Sequence, residues 1–226
     1  MPSARFVRWA GFVGLLLALF AVASAAKCIE NDQMYVDREG YTHVVGHMTN
    51  ETDVSASTVT LRAQLFDAAG NVIAEATGPL CPESVQPKSQ NVFDLRFPNP
   101  NIPNVARYEV RPISGTTIPS ALPDPQIFLI RFFARRFGDF VGVLGQVRND
   151  SGVSYSDMGL CAAFYDNQGR VVRVLSDPIE GVLTPGAALI FEGGLEDVPP
   201  EAVQFRLWFT TSSNTQWVVS NKVTIQ

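Results

Sequence analysis

The chain has 226 residues, 46% of them hydrophobic and 17% charged, which is too apolar a composition for an intrinsically disordered protein. Its 22 Asp and Glu against 17 Lys and Arg give a net charge of −5; without Arg5 and Arg8 of the N-terminal segment the balance is 22 against 15, or −7. Nucleic acid and anionic membrane surfaces are poor partners for such a charge, and neither is expected.

In chain order, Arg5 and Arg8 precede an apolar run from Gly11 to Val22 and the small residues Ala23-Ser24-Ala25-Ala26. A basic start, a short apolar core and small residues before a cut make residues 1–26 a secretory signal peptide. A retained membrane anchor is the second reading, because the run is shorter than the roughly 20 residues that span a bilayer; no membrane span is expected after removal of the segment. Lys27 stands between Ala26 and Cys28, which argues against lipid attachment at that cysteine.

Beyond it, short β-branched and aromatic runs recur between Gly, Pro, Asn and Asp, and no helical period is sustained. Strands are expected near Gln33–Val36, Tyr41–Met48, Thr58–Phe66, Val72–Ala76, Asn91–Phe97 and Ala106–Arg111. Four prolines between Pro112 and Pro125 mark a stiff linker. Seven more strands are expected: Ile127–Ala134, Phe140–Arg148, Met158–Tyr165, Val171–Leu175, Ala188–Glu192, Val203–Thr211 and Gln216–Ile225. The organisation read from this is a signal peptide (1–26), a first β-sandwich repeat (27–113), a Pro-rich linker (114–125) and a second repeat (126–226).

The two halves carry one block twice. Gly46, Asn50, Asp67 and Gly70 recur as Gly145, Asn149, Asp166 and Gly169, each 99 residues on. In the strand between them, Leu61, Ala63 and Leu65 match Leu160, Ala162 and Phe164 as the inward set; Arg62, Gln64 and Phe66 match the outward Cys161, Ala163 and Tyr165. Asp-x-x-Gly then closes a tight turn in both copies. The fold expected is all-β: two tandem antiparallel, immunoglobulin-like β-sandwich modules.

These blocks resemble the FxLYD domain, a small β-sandwich module of secreted and envelope proteins of bacteria and archaea. The likeness is carried by Gly145, Val147, Asn149, Phe164-Tyr165-Asp166, Gly169, Pro185-Gly186 and Phe191. In the first copy it is carried by Gly46, Asn50, Leu65-Phe66-Asp67, Gly70, Pro87 and Phe93, with Met48 in the Val position. The resemblance implies a secreted or cell-envelope sandwich and brings no catalytic residues with it.

Among residues that might carry chemistry, Cys28 and Cys81 are the expected disulfide, both lying in the first module, with Cys161 left as a small apolar strand residue. His43 and His47, the only histidines, fall on one face of a strand about 13 Å apart, too far to share a metal, and are read as solvent-facing. Asp67 and Asp166 offer one carboxylate per loop where calcium needs six to eight oxygens, so turn chemistry is preferred. Asn50-Glu51-Thr52 and Asn149-Asp150-Ser151 fit the glycosylation pattern but are read first as turns. Arg131 to Phe137 reads as an edge strand guarded by arginines.

Trp208 and Trp217 are the interaction candidates: Val203, Phe205, Leu207 and Phe209 are expected to point inward, leaving Trp208 outward, with Trp217 beside it across a turn through Ser212, Ser213 and Asn214. Glu192, Glu196 and Asp197 are the densest carboxylates and the only nominees for a hydrolase. No catalytic, cofactor or metal-binding residue is expected. The function expected is a non-enzymatic envelope or extracellular module with a structural or protein-interaction role, partnered by an envelope protein; a glycan-binding module using exposed aromatics is the alternative, and a hydrolase a lesser one.

Overall fold

The computed structural model describes residues 28–118, 126–211 and 217–226. They form fourteen strands and, among the described residues, no helix. The first half holds β1 (Ile29–Val36), β2 (Tyr41–Thr49), β3 (Ser55–Phe66), β4 (Val72–Pro79), β5 (Gln90–Pro100) and β6 (Arg107–Ile118). The second holds β7 (Ile127–Phe137), β8 (Phe140–Asn149), β9 (Met158–Tyr165), β10 (Val171–Ile179), β11 (Ala188–Leu195), β12 (Gln204–Thr211), β13 (Trp217–Val219) and β14 (Val223–Thr224).

All pairing is antiparallel, in four sheets: β1-β2-β5 and β4-β3-β6 in the first half, β11-β8-β7 and β10-β9-β12-β13 in the second, with β14 also on β12. Each half is therefore an immunoglobulin-like sandwich, as the alternation requires, and the equivalent strands repeat in the same order.

The period-2 side-chain rule explains the layering. Leu61, Ala63 and Leu65 of β3 meet Val44, Phe93, Leu95 and Phe97 in the first core. Leu160, Ala162 and Phe164 of β9 meet Phe191, Phe205, Leu207 and Phe209 in the second. A third core lies between the halves: Val45 and Val92 from β2 and β5 pack on Cys161, Ala163, Tyr165, Val174 and Trp208. The outer face of β1-β2-β5 is thus stacked on that of β10-β9-β12, and the molecule is four sheets deep.

Local chemistry fixes the repeated turns. Asp67 Oδ1 accepts from the backbone N–H of Ala69 (2.9 Å) and Asn71 (2.8 Å), and Gly70 takes a φ of 86°. Asp166 Oδ1 accepts from Gln168 and Arg170 (both 2.9 Å), with Gly169 at 79°. Gly46 and Gly145 recur because the strand passes against a ring: a Cβ at Gly145 would overlap Phe191, and one at Gly46 would lie 2.9 Å from Phe93.

Residues 114–118, expected as the start of a linker, belong to β6. β6 runs on to Ile118, pairing Thr116, Thr117 and Ile118 with Ser57, Ala56 and Ser55. These β-branched residues prefer the ladder, and Pro112 is tolerated because β6 is an edge strand. Residues 119–125 and the N-terminal segment 1–26 lie outside the described residues. The last expected strand is split into β13 and β14.

Candidate functional site

Five of the residues singled out in the sequence, His43, His47, Cys81, Cys161 and Trp208, meet at the junction between the sandwiches. The expected Cys28–Cys81 disulfide is corrected: Cys81 is bonded to Cys161, Cα atoms 5.9 Å apart, across the third core. Sheet geometry gives the reason. Cys28 extends β1, its carbonyl accepting from Thr49 N–H, whereas Cys81 bridges Val92 at the opposite edge of β5. Three strand spacings separate them, about 14 Å, against the roughly 7 Å that a disulfide can bridge. Cys161, expected as an unbonded thiol, points away from its own core as its alternation requires, and that direction faces Cys81.

Trp208, expected outward and exposed, is outward from its own sandwich yet only 1% exposed, because the first sandwich covers it. Its ring lies 6.3 Å from that of His47, and Arg206 sits 5.3 Å from the indole. The side chain of Trp217 and the turn through Ser212, Ser213 and Asn214 lie outside the described residues, so the Trp pair is not assembled here.

Both histidines, expected to face solvent, are buried in the junction. His47 stacks on Tyr165 (5.5 Å, 15°), and burial, helped by the charges of Lys222 and Arg206, pushes its pKa down to about 4. His43 Nδ1 is 2.7 Å from Asp94 and Nε2 3.2 Å from Asp37. Burial opposes the charged ring, but the hydrogen bonds and charges of Asp94 and Asp37 together outweigh it and hold the pKa above the ordinary value. Around them, Tyr35 stacks on His43 at 4.8 Å, the Arg173 guanidinium covers Tyr35 at 3.6 Å, and Arg38 reaches Asp139 and Asp197 of the second sandwich.

Beside the disulfide the junction opens into a cleft of about 720 Å³, whose acids Glu83, Asp94, Asp157 and Asp177 outnumber Arg96 and His43. Arg96 is held by Glu39 (3.0 Å) and Asp94 by His43, so three of these groups are engaged. Glu192, Glu196 and Asp197 do not meet in it: Glu192 is on an outer sheet face, and Asp197 is held at the junction by Arg38 and Arg173. Among the described residues no three His, Cys, Asp or Glu groups are placed to hold a metal ion.

The two Asn-x-Ser/Thr sites are turns. Asn149 Nδ2 donates to Val153 O (2.7 Å) and Leu183 O (3.0 Å), and Ser151 Oγ donates to Asn149 Oδ1 (2.6 Å); Asn50 and Thr52 repeat the pattern, and both amides are buried.

A second surface was not singled out in the sequence. The outer face of β11-β8-β7 carries cross-strand rows Phe128-Arg148-Ala188, Arg131-Gln146-Ile190, Phe133-Leu144-Glu192 and Arg135-Gly142-Gly194, ending in Phe137-Phe140. Ile190 is 68% exposed and Phe137 57%, and Phe128, Phe133, Phe140 and Leu144 are also exposed. Phe140 lies over Gly142 and Gly194, and at Gly194 a side chain would exclude its ring; it flanks a groove of about 610 Å³. The signal available was the run Arg131 to Phe137, which does form an edge strand as expected but also lays aromatic rings on an uncovered face.

No known family's sequence profile matches this chain, and no curated protein sequence matches it. Solved structures similar to it include a calcium-binding mutant of Bacteroides uniformis β-glucuronidase 2 (14% identity, TM-score 0.31, 88% of this chain and 28% of that one). Others are a DUF3823 family protein from Bacteroides ovatus (11%, 0.32, 79% and 96%) and red sea bream transglutaminase (11%, 0.30, 87% and 31%). The chain spans about a quarter of the glucuronidase that it matches.

Proposed function

We propose that this chain is a non-enzymatic, extracytoplasmic β-sandwich protein, its modules of FxLYD type, joined into one rigid body that serves a structural or protein-interaction role. The observation that carries the reading is the junction. A shared apolar core, the Cys81–Cys161 disulfide and the Arg38 ion pairs fix one module on the other, an investment in relative orientation suited to a spacer or docking body. The disulfide is compatible with an oxidising compartment, as is the basic and apolar N-terminal segment. The repeated Gly, Asn and Asp-x-x-Gly positions, which serve turns and core, favour the FxLYD likeness.

The test is a turnover screen of the mature protein against polysaccharides, glycosides and peptides, with products read by mass spectrometry. No turnover above buffer is expected. Turnover abolished by Asp177→Asn or Glu192→Gln would overturn the reading in favour of a hydrolase.

A further inference from the structure

We propose that the outer face of β11-β8-β7 docks a β-sandwich domain of another protein through a sheet face that is acidic. The inference rests on the interaction role proposed above and names its surface and the chemistry of its partner.

The repeat shows what such a face is built to meet. Its counterpart in the first module is the outer face of β1-β2-β5, since Gln33-Val45-Asp94 occupies the position of Phe133-Leu144-Glu192. That counterpart is covered by the sheet β10-β9-β12, with small residues (Cys161, Ala163) at its centre and Tyr165 and Trp208 beside them. The outer face of β11-β8-β7 has the same strand order, and among the described residues no sheet lies upon it.

Charge decides what the cover is. The covered face offers Asp37 and Asp94 beside His43 and Arg96, the latter tied to Glu39, and the sheet upon it brings Arg173 and Arg206, with Lys222 at its edge. The face of β11-β8-β7 carries Arg131, Arg135 and Arg148 against Glu192 alone. Arg148 is held by Asp150 (2.6 Å), while among the described residues neither Arg131 nor Arg135 is ion-paired. A basic cover would oppose like charges; an acidic one would pair with them, and the exposed phenylalanines would supply the apolar centre.

A second copy of this chain does not fit. Face-to-face self-docking brings together two faces of the same net sign, each with three arginines against Glu192. The chain's other free sheet face, β4-β3-β6, presents Arg62, Arg107 and Arg111 against Glu75 and Glu109, and is itself cationic.

The test uses the full-length protein in its native envelope, with a photo-crosslinking phenylalanine analogue in place of Phe133 or Phe137, and the same analogue at the remote exposed Val153 as control. A captured protein is purified and its affinity measured by calorimetry against the unmodified chain, the double variant Arg131→Glu/Arg135→Glu, and Phe137→Ser. Phosphatidylglycerol vesicles serve as a parallel probe. Expected are a crosslink confined to the face and about tenfold or greater weakening for the charge reversal, with steeper loss of affinity for the unmodified chain as salt rises. Crosslinks to copies of the same chain only, binding indifferent to both variants, capture by vesicles instead of protein, or no crosslink would each overturn the proposal. Such failure leaves the turnover screen untouched, so the face and the non-enzymatic reading fall separately.

Discussion

His43 and His47 sit two turns of the pleat apart on β2 and titrate in opposite directions. His47 is stable only as the neutral ring: its folded pKa of about 4 lies below the ordinary 6.5, so the unfolded chain binds the extra proton first and stability falls as pH drops from 6.5 towards 4. The shift corresponds to about 3 kcal/mol. His43 is the reverse case. Held between Asp94 and Asp37, its raised pKa favours the folded state below 6.5 and withdraws that support as pH rises through the raised value. Thermal melts across pH therefore separate the two. His47→Gln should flatten the acid loss, whereas His43→Gln should cost more stability near about pH 5 than near about pH 8. Equal pH profiles for wild type and His47→Gln would remove this account. Neither role was legible in the sequence, because alternation says which face a side chain takes and not what lies upon that face.

At the scale of the strand, much was legible. The inward sets of β3 and β9, the Asp-x-x-Gly turns and the Asn caps follow from period-2 alternation and local hydrogen bonds, which act within a few residues. What could not be read is the docking of one sheet on another, a long-range event. A trace of it was present: the outward set of β3 holds Arg62 and Gln64, whereas that of β9 is Cys161, Ala163 and Tyr165, too apolar for a solvated face. The misplaced disulfide has the same origin, since pairing by module ignores that Cys161 faces out of its own. Non-reducing peptide mapping should recover a Cys81–Cys161 peptide, and Cys161→Ser should lower stability by up to about 4 kcal/mol on the chain-entropy model for a separation of 80 residues. The glycine register gives a second check. Gly145→Ala drives a methyl into Phe191 and should cost about 1–3 kcal/mol in urea unfolding, whereas Gly152→Ala, with no atom within 4 Å of its Cβ, should be nearly neutral. A tolerated Gly145→Ala would mean that β8 and Phe191 do not approach as closely as described.

For the whole molecule, the third core decides whether the chain behaves as two bodies or one. Each sandwich has its own interior, so each could in principle melt alone. Yet separating them would expose Val45, Val92, Trp208 and Tyr165 and leave His47 and Arg173 without their packing, so unfolding of either module strips the other's outer face. Coupling of this kind makes calorimetric unfolding a single transition. Truncating Trp208, the largest fully buried side chain among the described residues, removes the centre of the shared core at a cost of about 3–5 kcal/mol, and Cys161→Ser removes the covalent tie. Trp208→Ala alone should lower the midpoint and keep one transition, because the disulfide still holds the faces together. Combined with Cys161→Ser it should resolve two transitions, one per module, with scattering in solution showing an increased radius. Two transitions in the unmodified oxidised protein would show that the junction does not couple the modules, and the rigid-body reading would fall with it.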